Sequence, residues 1–147
     1  MIYKFFTYII MEKITHLIFG FLVLLLFSLV LNFPLHLSLF AFAGVLIPDV
    51  DMKIRKFHRK LFHNIWILII LLFLGFIFGI FNRTAAIIFS IGFLSHLIGD
   101  SLTHKGIMPL WPIKKPKFNG PLRTGQIEEY LLILVLLVGI YFLGTMI

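Results

Sequence analysis

The side chains able to do chemistry in this chain are few and clustered. With no Cys, thiolate nucleophiles, disulfides and Cys-based zinc sites are excluded, and metal or acid–base chemistry falls to six His and six acidic residues. His96 and Asp100 stand four apart in Ser95-His96-Leu97-Ile98-Gly99-Asp100, a spacing that on a helix puts both on one face within reach of a single ion. An isolated His-x-x-x-Asp is commonly a capping acid beside an interfacial imidazole. Here Ser95 and Gly99 leave room for a second helix, which favours a shared site. Asp49 and Asp51 follow Pro48 at the end of an apolar run; alone they would be a solvated loop pair, but a turning backbone can aim both at one place. In His58-Arg59-Lys60-Leu61-Phe62-His63 the two imidazoles would lie about 140° apart on a helix, so they do not form a helical pair. His63, nearer the next apolar run, reads as the ligand, while His58 and Arg59 suit proton transfer and oxyanion or phosphate contact. His16 opens another apolar run. The expected metal ligands are therefore His16, Asp49, Asp51, His63, His96 and Asp100, and the expected catalytic groups Asp49, Asp51, His58 and Arg59. Imidazoles and carboxylates without a soft ligand fit one or two divalent ions such as zinc or manganese.

The elements that must position these residues follow from composition. Of 147 residues, 61% are hydrophobic and 13% charged, half the charge of a soluble domain, and mean hydropathy is +1.08. The solvent of such a chain is largely lipid. A hydrocarbon core of about 30 Å takes about 20 apolar helical residues, and five segments meet or approach that length: Ile14–Leu31, Leu35–Pro48, Ile65–Phe81, Ala85–Leu102 and Tyr130–Met146. Tight turns at Asn32-Phe33-Pro34 and Asn82-Arg83-Thr84 join the first and second pairs into hairpins. The fold expected is an all-α integral membrane protein of about five transmembrane helices, one domain over 1–147. Residues 1–10 carry no cleavage site, and the stretch 1–13 is expected either to form an interfacial helix or to contain the true start, at Met11.

Alternating the five segments puts the loops at 49–64 and 103–129 on one side. Of the 13 basic residues only Arg83 falls on the other. The positive-inside rule makes the basic side cytoplasmic. Every acidic residue and five of the six His lie at that same end, where short Asp and His side chains cannot snorkel as Lys and Arg do. A polar site at the cytoplasmic end of the bundle is the economical reading. His36, near the opposite side, reads as an interfacial or packed histidine, and His104 and Glu12 read as surface groups. The stretch Leu110-Trp111-Pro112-Ile113-Lys114-Lys115-Pro116-Lys117-Phe118 is either an interfacial rim or a surface for anionic lipid headgroups. Nucleic-acid binding is not expected, since no reader module is present and topology accounts for the charge.

These pieces resemble the YdjM-like family of membrane-bound metal-dependent hydrolases across nearly the full length. The resemblance rests on His16 with Gly20, Leu46-Ile47-Pro48-Asp49-Val50-Asp51, His58-Arg59 with His63, Ser95-His96 with Asp100, Thr103 and Gly106, Leu110-Trp111-Pro112, and Gly125-Gln126-Ile127-Glu128. Phe62-His63-Asn64 departs from the family's Thr-His-Ser, removing a hydroxyl beside the ligand. More distantly, the order His16, Asp49 or Asp51, His63, His96-x-x-x-Asp100 is similar to the zinc ligands of bacterial phospholipase C and the P1-type nucleases. Their second His-x-x-x-Glu is absent, because Thr124 stands four before Glu128. The resemblance implies metal-dependent hydrolysis of an ester, with a phosphoester suggested.

The function expected is therefore a multi-pass cell-membrane hydrolase cleaving a lipid or lipid-linked phosphoester at the cytoplasmic headgroup level, with membrane lipids as its partners. The alternatives are a divalent-metal transporter, disfavoured because transport needs polar groups near the midplane, and a noncatalytic membrane protein whose polar cluster organises the fold.

Overall fold

The computed structural model describes the backbone of residues 2–31, 35–53, 59–124 and 126–145, and the side chains of 14–28, 36–50, 59–124 and 126–145. Among these residues the regular structure is helical: α1 (Ile2–Leu31), a 3₁₀ turn (Leu35–Leu37), α2 (Ser38–Leu46), a second 3₁₀ segment (Ile47–Lys53), α3 (Ile65–Ile77), α4 (Arg83–Ser101) and α5 (Ile127–Gly144). Two isolated backbone bridges, Thr103 with Leu122 and Ile107 with Phe118, fold the long connection between α4 and α5 back on itself.

Local chemistry explains the boundaries. Asn64 caps α3, its side chain accepting from Ile67 N at 3.0 Å, and Asn82 caps α4 by accepting from Ala85 N at 2.8 Å; such caps satisfy donors that the first helical turn leaves open. Arg83 and Thr84, expected in a turn, thus belong to the first turn of α4. The third apolar segment, expected to reach Phe81, stops at Ile77. Gly79 takes a left-handed backbone with φ 67°, and Ile80 and Phe81 donate back to the Gly75 carbonyl. At the N-terminus α1 runs through residues 2–13 into the first apolar stretch without a break. A separate interfacial helix is not seen, because from Ile2 to Phe19 there is neither Gly nor Pro to stop propagation. The expected turn at 32–34 lies outside the described residues.

Two helices, Arg83–Ser101 and Ile127–Gly144, are long and apolar enough to cross a membrane. Of the other segments, α1 is helical from Ile2 to Leu31, 30 residues in all, while Ser38–Val50 and Ile65–Ile77 are shorter; thirteen helical residues reach only about 20 Å. Of the five segments expected to reach or approach a span, α4 and α5 are long enough, and α2 and α3 fall short.

Helix α4 is the centre of the bundle, packed on α1 and α2. Small residues allow the approach: a Cβ on Gly92 would strike the Ala41 backbone, and one on Gly44 the Phe89 carbonyl. Ile88, Phe89, Phe93 and Leu97 of α4 are buried against this contact and against Leu68 of α3 and Leu24 of α1. Helix α5 packs on α1 and turns Leu134, Val135, Tyr141 and Phe142 outward, each more than half exposed. Apolar side chains on this scale cannot face water without association, and they suit hydrocarbon.

Candidate functional site

Four elements bring their polar residues to one place. His16 comes from α1, Asp49 from the 3₁₀ segment after α2, His63 from the residue before the α3 cap, and His96 and Asp100 from one face of α4. His16, His63, His96 and Asp100 are each 5% exposed or less. Asn64 fixes His63 from the next position: besides capping α3 it donates to the Lys60 and Leu61 carbonyls at 2.7 and 2.6 Å. Asn64 therefore supplies a cap, a task Ser also performs. On α4, Gly99 leaves the space that the His16 ring fills; a Cβ there would lie 2.6 Å from His16 Nδ1.

The two oxygens of Asp100 face in opposite directions. Oδ1 takes Arg59 Nη2 at 3.0 Å and His16 Nε2 at 3.3 Å. Oδ2 looks inward, 3.3 Å from His63 Nε2 and 3.8 Å from His96 Nε2. Those two Nε2 atoms are 3.2 Å apart, and Asp49 Oδ1 stands over the edge between them at 3.6 and 3.7 Å. The His16 ring stacks on His96 with centroids 4.2 Å apart.

This donor set fits a divalent ion. Ligand atoms bound tetrahedrally at about 2.0–2.2 Å stand about 3.3–3.6 Å apart, and the triangle of His63 Nε2, His96 Nε2 and Asp100 Oδ2 has edges of 3.2, 3.3 and 3.8 Å. Two sets of three donors each lie mutually within 4.8 Å: Asp49, His63 and His96, and His16, His96 and Asp100. Asp100 Oδ2 is buried with no hydrogen bond among the described residues, the state of an acceptor aimed at a cation.

Arg59, expected at an oxyanion or phosphate, is bound into this cluster. Its Nη1 donates to Thr103 Oγ1 at 2.8 Å, and Thr103 Oγ1 donates in turn to the Asp100 carbonyl at 2.8 Å. Arg59 adopts φ 64°, a left-handed conformation costly for a side-chain-bearing residue, by order 1–3 kcal/mol. The two hydrogen-bonding contacts of its guanidinium offset that strain, and their effect is to orient Asp100.

Five of the six expected ligands thus converge; the side chain of Asp51 and all of His58 lie outside the described residues. His36 is exposed at the far end of α2, and His104 is exposed in the loop after α4. Glu12 lies outside the described side chains. Two participants escaped the sequence reading of roles. Thr103, present in the motif without a task, anchors Arg59. Glu129, 5% exposed on α5, accepts from Thr15 Oγ1. The signal for Glu129 was an acid at the very start of an apolar helix, a place where the helix dipole alone would account for it.

No curated protein and no solved structure matches the chain. The YdjM inner membrane protein family matches residues 11–146. With its apolar outer faces and a match running nearly end to end, the chain belongs to the YdjM inner membrane protein family and is a membrane protein.

Proposed function

We propose that the protein is a metal-dependent hydrolase with five membrane-crossing segments, cleaving a phosphoester at the cytoplasmic headgroup level. The observation that carries the reading is the pair of three-donor sets sharing His96, built from buried imidazoles and carboxylates of four separate elements. Buried ionisable groups in a lipid-facing bundle are costly unless paired or metal-bound, and a metal accounts for the gathering of imidazole and carboxylate atoms here. In this reading His63, His96, Asp49 and Asp100 Oδ2 hold the ion, and His16 and Arg59 hold the other oxygen of Asp100. A bound zinc or manganese supplies Lewis acidity and brings the pKa of water to about 7. Asp49 orients the attacking water and accepts its proton, and Arg59 acts through Asp100 as a positioning residue. The likeness of the ligand order to zinc-dependent phospholipase C supports a phosphoester.

The basic asymmetry supports a cytoplasmic site, and it supports crossing by the short segments α2 and α3 as well, since tight connections return the chain each time. A site at headgroup depth favours a lipid or lipid-linked substrate, which can present its polar ester without leaving the bilayer.

The test is metal content set against turnover. Purified wild type and the variants His63→Ala, His96→Ala and His36→Ala are loaded with zinc, desalted, analysed for bound metal and assayed on a panel of phosphate mono- and diesters. Wild type and His36→Ala are expected to retain zinc and turn over, and the other two to lose both. Wild type that retains no zinc defeats the proposal. Zinc retained without ester cleavage, together with zinc flux into vesicles, replaces it with the transporter.

A further inference from the structure

The long connection between α4 and α5 is held against the start of α3. The Pro109 carbonyl accepts from Ile65 N at 2.9 Å, one of the donors that a first helical turn leaves open, and Trp66 Nε1 donates to the Leu110 carbonyl at 3.4 Å. Trp66 opens the outward face of α3, on which Trp66, Ile69, Ile70 and Phe73 are 43–64% exposed. In a membrane protein that face suits hydrocarbon, and an indole at its end marks the boundary with water. The connection is thereby fixed at the height of that boundary. Beyond Leu110 it turns on itself, Ile113 N donating to the Leu110 carbonyl at 2.9 Å, and it closes at Phe118, which exchanges backbone hydrogen bonds with Ile107 at 2.8 and 3.0 Å. The closed turn presents Ile113 and Phe118, 54% and 50% exposed, on either side of Lys114, Lys115 and Lys117. All three lysines are exposed, and none forms an ion pair among the described residues.

Membrane topology accounts for the lysines but not for their setting. Asp and Glu contribute little to the positive-inside effect, so topology leaves acids free to occur here, yet from Ser101 to Ile127 there is none. Nor does topology call for large apolar side chains at both ends of the cations. Apolar groups flanking lysines, at a height set by Trp66, match the surface of an anionic bilayer: the apolar groups enter the acyl edge and the ammonium groups meet headgroup phosphates. A soluble acidic partner would satisfy the charges and leave Ile113 and Phe118 in water. We infer that the turn from Leu110 to Phe118 lies on the membrane surface and is a binding site for anionic lipid headgroups, held by Lys114, Lys115 and Lys117 and anchored by Ile113 and Phe118. The inference needs no catalysis and stands apart from the hydrolase reading.

The chain holds two Trp, Trp66 and Trp111, one at the foot of this turn and one within it, so its own fluorescence reads the contact. Full-length protein is reconstituted at low salt into phosphatidylcholine vesicles containing an equal mole fraction of either phosphatidylglycerol or phosphatidylcholine with brominated acyl chains, which quench nearby indoles. Wild type is expected to prefer the anionic lipid by about fivefold or more, the scale of a single lysine near an anionic surface. The triple variant Lys114→Gln/Lys115→Gln/Lys117→Gln is expected to lose that preference while its quenching by brominated phosphatidylcholine stays unchanged, which shows that the turn still stands at the lipid. Arg123→Gln, an exposed cation of the same connection, is expected to keep the preference. In Trp66→Phe the remaining Trp111 is expected to be quenched by brominated lipid and shielded from aqueous iodide; the signal lost in Trp111→Phe, which leaves the contact of Trp66 with Leu110 in place, checks the same residue. The proposal is overturned if the triple variant prefers phosphatidylglycerol as wild type does, or if Arg123→Gln loses as much, which would reduce the effect to the general field of the connection. It is overturned equally if Trp111 is open to iodide and untouched by brominated lipid, since the turn would then stand in water, where a soluble acidic partner could reach it.

Discussion

Asp100→Asn preserves shape and removes charge, so it isolates what the carboxylate does. Asp100 and Arg59 are 1% and 8% exposed, with Oδ1 and Nη2 3.0 Å apart. Taking away one member of a buried pair strands the other, at about 3–5 kcal/mol. Asp100→Asn strands Arg59 and is expected to destabilise the protein by about that amount. Arg59→Met leaves Asp100 with His16 at 3.3 Å and should cost less, about 2–3 kcal/mol, from the same range discounted for the remaining partner. The double variant leaves neither charge buried. Its loss is expected to fall short of the sum by about 2 kcal/mol, within the span measured for residues in direct contact. Unfolding by sodium dodecyl sulfate in mixed micelles, with EDTA present so that bound metal adds nothing, gives the four free energies. If the two single losses add to the double within about 0.5 kcal/mol, the side chains do not pair and the account of Asp100 as a two-sided residue is wrong.

Asn64→Ala is expected to cost about 1 kcal/mol through loss of the α3 cap and to lower metal affinity by moving His63, whereas Asn64→Ser should retain most of both; equal behaviour of the two in the same unfolding and metal-binding assays contradicts the capping role. Gly92→Val drives a side chain into the Ala41 backbone and is expected to cost at least the 1–3 kcal/mol typical of overpacking, seen as a fall in thermal stability, while Gly144→Ala, with nothing near its Cβ, should not. A single Cys at Lys115 is expected to resist an impermeant thiol reagent in intact cells and to react after lysis; ready labelling in intact cells inverts the membrane orientation.

The convergent residues were legible because ionisable groups are rare in this chain and expensive in lipid, so each carried information. His96 and Asp100 declared themselves by spacing together with Ser95 and Gly99, which leave room for a second helix. His16, Asp49 and His63 did so through the depth at which successive segments deliver them. What spacing could not reveal was division of labour. That Arg59 binds Asp100 depends on a left-handed backbone in a loop and on Thr103, 44 residues away in sequence. The Thr15–Glu129 contact spans 114 residues, and no local pattern encodes it. Helix ends shifted for local reasons of a different kind: a glycine stopped α3 early, and the lack of any breaker carried α1 through residues that composition had set apart.

The wide sequence separation of the cluster sets a schedule for its birth. His16 and Asp100 are 84 residues apart, so a ribosome adding about 5–20 residues per second delivers the second about 4–17 s after the first. Through that interval His16, joined in turn by Asp49 and His63, waits at the bilayer without the carboxylate of Asp100. Asp49 and His63 wait at helix termini, where water can reach them. The His/Asp cluster is incomplete until α4 inserts, and α4 is also the helix on which α1 and α2 pack. Packing of α1 and α2 on α4 and completion of the cluster are thus a single event in time, ahead of α5, and a nascent chain arrested before α4 has neither.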